Sequence, residues 1–281
     1  AVFKQITTYE EKLGVKLFDR SPTGMRLTPA GISVYKDAKF LLSFSKESIK
    51  RAKEIEKNEG NLVRVALSPL TPTKFLGQVW PIASKQYPDL RIQLVPFENE
   101  KNIVWNMLSH LGSDGQVDIV VATYDEDFLE RRNCTALKLR DLQLSICMSS
   151  THKLAQKEKI SIEDLVEATR RRGGGLLLRS DDWMRGYDNV KEIFTHDERI
   201  EKEFYDFLTM DILNRCGNSN YFLLATESWI FSHPLIKAVP LDINATLPFG
   251  AIHSKKPSEP VKKFLRIVDF VNLEYKNFQL W

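Results

Sequence analysis

Two runs near the start of this chain carry most of its architectural information: Ile6-Thr7-Thr8-Tyr9-Glu10-Glu11-Lys12-Leu13-Gly14-Val15-Lys16-Leu17-Phe18-Asp19-Arg20, then Arg26-Leu27-Thr28-Pro29-Ala30-Gly31. Val2, Ile6, Tyr9 and Leu13 recur at helical spacing while Lys4, Gln5, Thr8 and Lys12 face elsewhere, which predicts an amphipathic helix over 1–13. Gly14 supplies its C-terminal stop. Between Asp19 and Arg26, Ser21-Pro22 and Thr23-Gly24 mark a turn with little strand on either side. Thr28-Pro29 opens the next helix: a hydroxyl N-cap, then a proline whose missing N–H costs nothing at that position.

Working outward, the helix from Pro29 to about Lys57 carries Val34, Ala38, Leu41, Ser45, Ser48, Ala52 and Ile55 at alternating spacings of four and three. That is an a/d seam, and it needs a partner surface. Asn58-Glu59-Gly60-Asn61 breaks the helix. From residue 62 the pattern changes to strands at 62–67, 91–96 and 117–122, separated by helices ending at Gln86 and spanning about 99–111. Val117-Asp118-Ile119-Val120-Val121-Ala122 is almost wholly apolar, as a buried parallel strand is. Later strands are expected at 142–148, 175–178, 221–225, 236–240 and 249–253, with a last helix at about 257–275. This alternation indicates βαβ units and a mostly parallel sheet.

The 281 residues suggest about two domains, with an ordinary globular composition of 43% hydrophobic and 27% charged residues. No apolar run approaches the length of a membrane span, and no basic-then-apolar leader opens the chain. Cys134, Cys147 and Cys216 have neither disulfide-framework nor zinc spacing and fit a reducing, cytoplasmic setting. The net charge of +3 is unevenly spread: residues 1–60 carry +4 and the remainder −1. Such asymmetry is a weak footprint of a nucleic-acid-binding end and equally that of a solvated basic helix.

The two opening runs resemble the signature of LysR-type transcriptional regulators. Tyr87-Pro88-Asp89, Val117-Asp118-Ile119-Val120, His152-Lys153-Leu154-Ala155 and Ile162-Glu163-Asp164-Leu165 extend the resemblance in order along the chain. It implies an α/β fold: a partial winged helix-turn-helix, a long linker helix, and a two-lobed effector domain like periplasmic binding proteins. The expected divisions are a DNA-binding domain at 1–28, a dimerisation helix at 29–60 and an effector domain at 61–281, with lobe I at 62–142 and 248–281 and lobe II at 143–247. The resemblance further implies that the chain starts inside the recognition helix. Phe3 stands where the family often has serine.

With that resemblance, Lys4, Gln5 and Thr8 become candidate DNA contacts, since Gln pairs with adenine and Lys reaches guanine or phosphate. Arg26 would meet backbone phosphate from the wing. Effector candidates are Ser68 and Thr71 at a helix start, where Thr71 reads equally as the helix cap. Thr123 and Tyr124 follow the third strand and would face the same cleft. Asn220 belongs to Asn218-Ser219-Asn220, which either presents amides to the cleft or forms a tight turn. Arg170-Arg171-Arg172-Gly173-Gly174-Gly175 reads as a mobile surface loop or a basic anion loop, and Arg179, Trp183 and Arg185 as one cleft wall or as core and surface.

The five histidines lack metal-ligand spacing, and GxSxG, P-loop and GxGxxG motifs are absent. The expectations are therefore no metal, no cofactor and no enzymatic activity. Expected partners are double-stranded DNA, a small-molecule effector leaning to an organic anion, and a second or further copies of the chain as homodimer or homotetramer, with no membrane. The alternative is a solute-binding protein without DNA-binding activity.

Overall fold

A computed structural model describes residues 2–21, 24–57, 61–68, 70, 75–113, 116–172, 174–180, 184–230 and 233–274. The chain forms two compact units, Ala1–Glu59 and Gly60–Trp281.

The first unit runs α1 (Val2–Leu13), β1 (Phe18–Ser21), β2 (Gly24–Leu27) and α2 (Pro29–Lys57). The expected bare turn is flanked by a true antiparallel ladder, from Phe18 opposite Leu27 to Ser21 opposite Gly24. Strands of four residues are too short for alternation to be legible. The buried Glu10 joins α1 to the hairpin by accepting the N–H groups of Leu17 at 2.7 Å and Phe18 at 3.0 Å. Those two backbone donors, with Lys16 Nζ at 3.6 Å, hold its carboxyl below the usual range. Thr28 caps α2, its Oγ1 accepting from Gly31 N at 2.9 Å while donating to Lys16 O at 2.8 Å. Gly31 sits against the Leu17 backbone so closely that any Cβ would overlap the carbonyl oxygen. Leu27-Thr28-Pro29-Ala30-Gly31 is thus a docking joint as well as a helix start.

The second unit continues with β3 (Leu62–Leu67), α3 (Leu76–Gln86), β4 (Arg91–Pro96), α4 (Lys101–Ser109), β5 (Ile119–Thr123), α5 (Glu126–Arg131) and β6 (Cys134–Ser149). After a 3-10 turn come α6 (Ile162–Arg172), β7 (Leu176–Arg179), α7 (Arg185–His196), β8 (Lys202–Tyr205), α8 (Met210–Gly217), β9 (Phe222–Thr226) and α9 (Glu227–Ile230). The unit ends with β10 (Ile236–Pro240), β11 (Thr246–Ser254) and α10 (Glu259–Glu274).

These strands build one sheet in the order β4-β3-β5-β11-β6-β9-β7-β8, with β10 also on β6. Pairing is parallel in β4-β3-β5 and in β9-β7-β8. It is antiparallel wherever β6, β10 or β11 takes part. The sheet is therefore mixed, not mostly parallel. Two βαβ-type halves are joined by long antiparallel strands, and β6 pairs with β11 over its first part and with β9 and β10 over its second. Alternation along β5 divides the core. Ile119 and Val121 pack with Val65, Phe249 and Phe264 under α3 and α10, while Val120 faces the other way with Leu108 and Ile252.

Candidate functional site

On α1, Lys4, Gln5 and Thr8 are exposed. Lys4 and Thr8, four apart, share one helix face, with Gln5 beside Lys4. Arg26 is exposed on β2, opposite Asp19 in the ladder. All four belong to the compact first unit, whose joint at Glu10, Thr28 and Gly31 fixes the hairpin against the helix.

Where the two halves of the large sheet meet lies a cavity of about 100 Å³. Phe97, Asn99, Trp105, Thr123 and Phe249 contribute from one half, and Arg179, Tyr205, Phe207 and Leu208 from the other. Asn99 Nδ2 donates to Leu208 O at 2.7 Å across the junction, and Lys101 Nζ pairs with Asp206 at 2.5 Å. Trp105 is the centre of an aromatic and cationic stack. It meets Phe128 and Phe207 edge-on at 5.9 and 5.8 Å, with the Arg132 guanidinium 4.0 Å and that of Arg179 5.9 Å from its ring. Burial, reinforced by the like charge of Arg131, pulls Arg132 down to about 10. Burial pushes the Tyr187 hydroxyl up to about 12, and that oxygen accepts the Arg179 N–H at 3.2 Å, bracing the cationic wall.

Thr123 ends β5 and lines this cavity. It is 1% exposed, and its Oγ1 has no hydrogen-bond partner. Such an orphaned buried hydroxyl is costly unless something supplies the missing bond. Tyr124 does not join it. It is buried in the core cluster with Phe128 and Leu247, where burial raises its hydroxyl pKa. The buried Ser68 closes a local turn, its Oγ accepting from Leu70 N at 3.2 Å. Thr71 and Trp183 lie outside the described residues.

Asn220 is exposed in a separate polar groove with Ser149, His152 and Asn218. It precedes β9, whereas the cavity touches Ser228 beyond the other end of that strand, about 17 Å away at strand rise. The residues after Arg172 form no open loop where they are described: a Cβ on Gly174 (φ +97°) would strike the Asn220 carbonyl, and one on Gly175 would lie 2.6 Å from Glu201 O. Arg185 lines another groove, its backbone N–H reaching Asp125 at 2.8 Å and its side chain Asp127 at 3.1 Å. Among the described residues, no group of three His, Cys, Asp or Glu is placed to hold a metal, and no helix is long and apolar enough to cross a membrane.

Residues 1–32 match the family described as bacterial regulatory helix-turn-helix protein, lysR family, and residues 56–188 match the LysR substrate binding domain. The chain belongs to the LysR-type transcriptional regulators. A probable RuBisCO transcriptional regulator of Synechocystis is 27% identical over 165 residues, 59% of this chain and 46% of the relative. One of the same description from Chlorokybus atmophyticus is 24% identical over 167 residues, 59% and 51% of the two chains. The chain thus spans about half the length of the curated relatives it matches. The crystal structure of CbnR, a LysR family transcriptional regulator, superposes with a TM-score of 0.50 at 18% identity, covering 95% of this chain and 89% of CbnR. That likeness is one of fold: a helix-turn-helix region with a two-lobed α/β domain.

Proposed function

We propose that this LysR-type chain is a transcriptional regulator acting in the cytoplasm, not an enzyme. It binds double-stranded DNA through its first unit and a small-molecule effector in the cavity between the halves of its second. The observation that carries this reading is the presence in one chain of both parts. One is a rigidly jointed helix–hairpin unit exposing Lys4, Gln5, Thr8 and Arg26; the other is a two-half sheet enclosing the orphaned Thr123 hydroxyl.

In this reading residues 1–28 read DNA and 29–60 dimerise. Residues 62–142 with 248–281 form lobe I, and 143–247 form lobe II. The α2 helix exposes Ile32, Tyr35, Phe40, Leu41, Leu42, Phe44 and Ile49. So many large apolar side chains on one helix suit a second copy of the chain as homodimer, or two such pairs as homotetramer. The effector then biases the angle between lobes and so the spacing of the DNA-reading units.

The test is fluorescence anisotropy of the full chain on DNA from upstream of its own gene and on a scrambled duplex, at several salt concentrations. Tight, steeply salt-dependent binding to the native sequence alone supports the regulator. Equal weak binding to both duplexes supports a solute-binding protein instead.

A further inference from the structure

We infer that the outer face of α10 is a self-association surface, on which a second copy of the chain packs its own α10 antiparallel, and that this contact joins α2-paired dimers into tetramers. It rests on the reading of α2 as the dimerising helix and adds the surface for the second step of assembly.

The face is a regular seam. Lys263, Arg266, Phe270 and Leu273 follow one another at alternating helical spacings, the a/d period of paired helices. The other side of α10 carries Val261, Phe264, Leu265, Val268 and Val271 into the core under β3 and β5. Phe270 is 50% and Leu273 74% exposed. Two large apolar side chains a turn apart, on a helix already anchored along its opposite side, leave apolar surface for a partner.

Charge selects the occupant. Lys262, Lys263 and Arg266 make the first half of the seam basic, while Asp269 and Glu274 make the second half acidic. Lys262 at 2.7 Å, helped by the charges of Arg266 and Lys263, holds the Glu259 carboxyl below its ordinary range, so the basic half dominates even around its own acid. A parallel copy would lay like charge on like. An antiparallel copy crossing near residue 268 sets Arg266 of each chain against Asp269 and the Phe270 ring of the other, and Lys263 of each against Glu274 of the other. One twofold axis thus pairs every basic group with an acid and each guanidinium with an aromatic face.

Area sets the strength. The 16 residues of α10 rise about 24 Å along a helix about 10 Å wide. A footprint of roughly 240 Å² falls far below the ~800 Å² per partner of a stable complex. The contact is therefore too small to hold two free monomers. It suffices between chains that α2 has already paired, where two such contacts form at once and reinforce each other.

The experiment is sedimentation velocity of the full chain over rising concentration. Wild type should pass from dimer to tetramer, and added salt should weaken that step. Arg266→Glu sets carboxylate against carboxylate across the seam, and Asp269→Arg sets guanidinium against guanidinium. Each variant alone should form tetramers about tenfold more weakly. Neither position is buried, so both variants should keep the wild-type far-UV circular dichroism. An equimolar mixture of the two variants places opposite charges at every contact between unlike chains and should recover the tetramer. That recovery separates a contact between copies from an effect inside one helix. Undiminished tetramers in both variants would overturn the α10 contact. A mixture that stays dimeric would overturn it as well and give the face to an unlike partner. A wild-type chain that stops at dimers at its highest soluble concentration also overturns it, whereas one that never leaves the monomer overturns the α2 reading and the tetramer with it.

Discussion

Gly31→Ala sets two physical arguments against each other. Gly31 lies in the first turn of α2, and on helix propensity alone alanine there should stabilise by up to about 1 kcal/mol. The packing says the reverse. A Cβ would overlap the Leu17 carbonyl oxygen, approach the carbonyl carbon at 2.9 Å and meet Leu27 Cδ2 at 3.1 Å. The nearest obstacle is backbone, so the start of α2 must move away from the hairpin. That movement threatens three hydrogen bonds: Thr28 N to Leu17 O at 2.9 Å, Gly31 N to Thr28 Oγ1 at 2.9 Å and Thr28 Oγ1 to Lys16 O at 2.8 Å. At about 1 kcal/mol each their loss totals about 3 kcal/mol, which outweighs the propensity gain and leaves a net destabilisation of about 2 kcal/mol. The assay is urea unfolding of the full chain followed by far-UV circular dichroism, with DNA affinity measured alongside. Gly77→Ala is the control: Gly77 is exposed on the outer face of α3 with nothing within 4 Å of an added Cβ, and it should be neutral to slightly stabilising. A Gly31→Ala chain as stable as wild type, with unchanged DNA affinity, would refute the joint.

Lys4→Ala and Arg26→Ala should each weaken binding to native and scrambled duplex alike and lower the salt slope by about 1, as for phosphate contacts; a loss confined to the native sequence would assign them to base readout. The Arg199 side chain and N–H hold the Asp197 carboxyl down at about 2. Its folded pKa thus lies below the ordinary 3.8, so its contribution is present above pH 4 and lost as pH falls towards 2. Asp197→Asn should flatten that acid limb in pH-dependent unfolding, and an unchanged limb would remove Asp197 from it. Burial raises the thiol of Cys216 to about 12 and that of Cys147 well above its usual value, so neither should react with a disulfide reagent at pH 8 until urea is added. Trp105→Ala should cost about 3 kcal/mol in unfolding free energy by emptying the stack between Phe128 and Phe207; a loss below about 1 kcal/mol would show that the stack contributes little.

Much of the fold was legible because its signals are local. The stop at Gly14, the cap at Thr28 and the apolar run ending β5 are each written within a few residues. The elements that escaped reading have disguised patterns. In α7 the buried stripe is Tyr187, Val190, Lys191 and Phe194, and the lysine, paired with Asp188 at 3.2 Å, interrupts an otherwise regular apolar face. The first part of β6 carries Lys138, Arg140 and Asp141 among its apolar residues, so only its second part, where Leu142, Leu144 and Ile146 alternate with Gln143 and Ser145, reads as a strand. The site divides the same way. Thr123 draws notice in the sequence because strand ends in open α/β sheets are where ligands sit, and in the fold it lines the cavity. Trp105 and Phe207 come together only through the tertiary fold, and no spacing in the sequence places them 5.8 Å apart. Tyr124, next in sequence to Thr123, is buried in the core cluster that also holds the cavity-lining Phe128, a placement that only the tertiary fold reveals.

The sixteen-residue β6 runs under both halves of the sheet and carries one extra residue, Leu139, where its partner β11 steps from Phe249 opposite Arg140 to Gly250 opposite Lys138. The ladder that joins the two halves therefore has its irregularity in β6 itself, which β11 passes without an added residue. Because β6 pairs with β11 over its first part and with β9 and β10 over its second, a displacement of one half against the other acts on the pairings of this one strand. On the proposed reading, an occupant of the cavity therefore acts on both halves through a single shared strand.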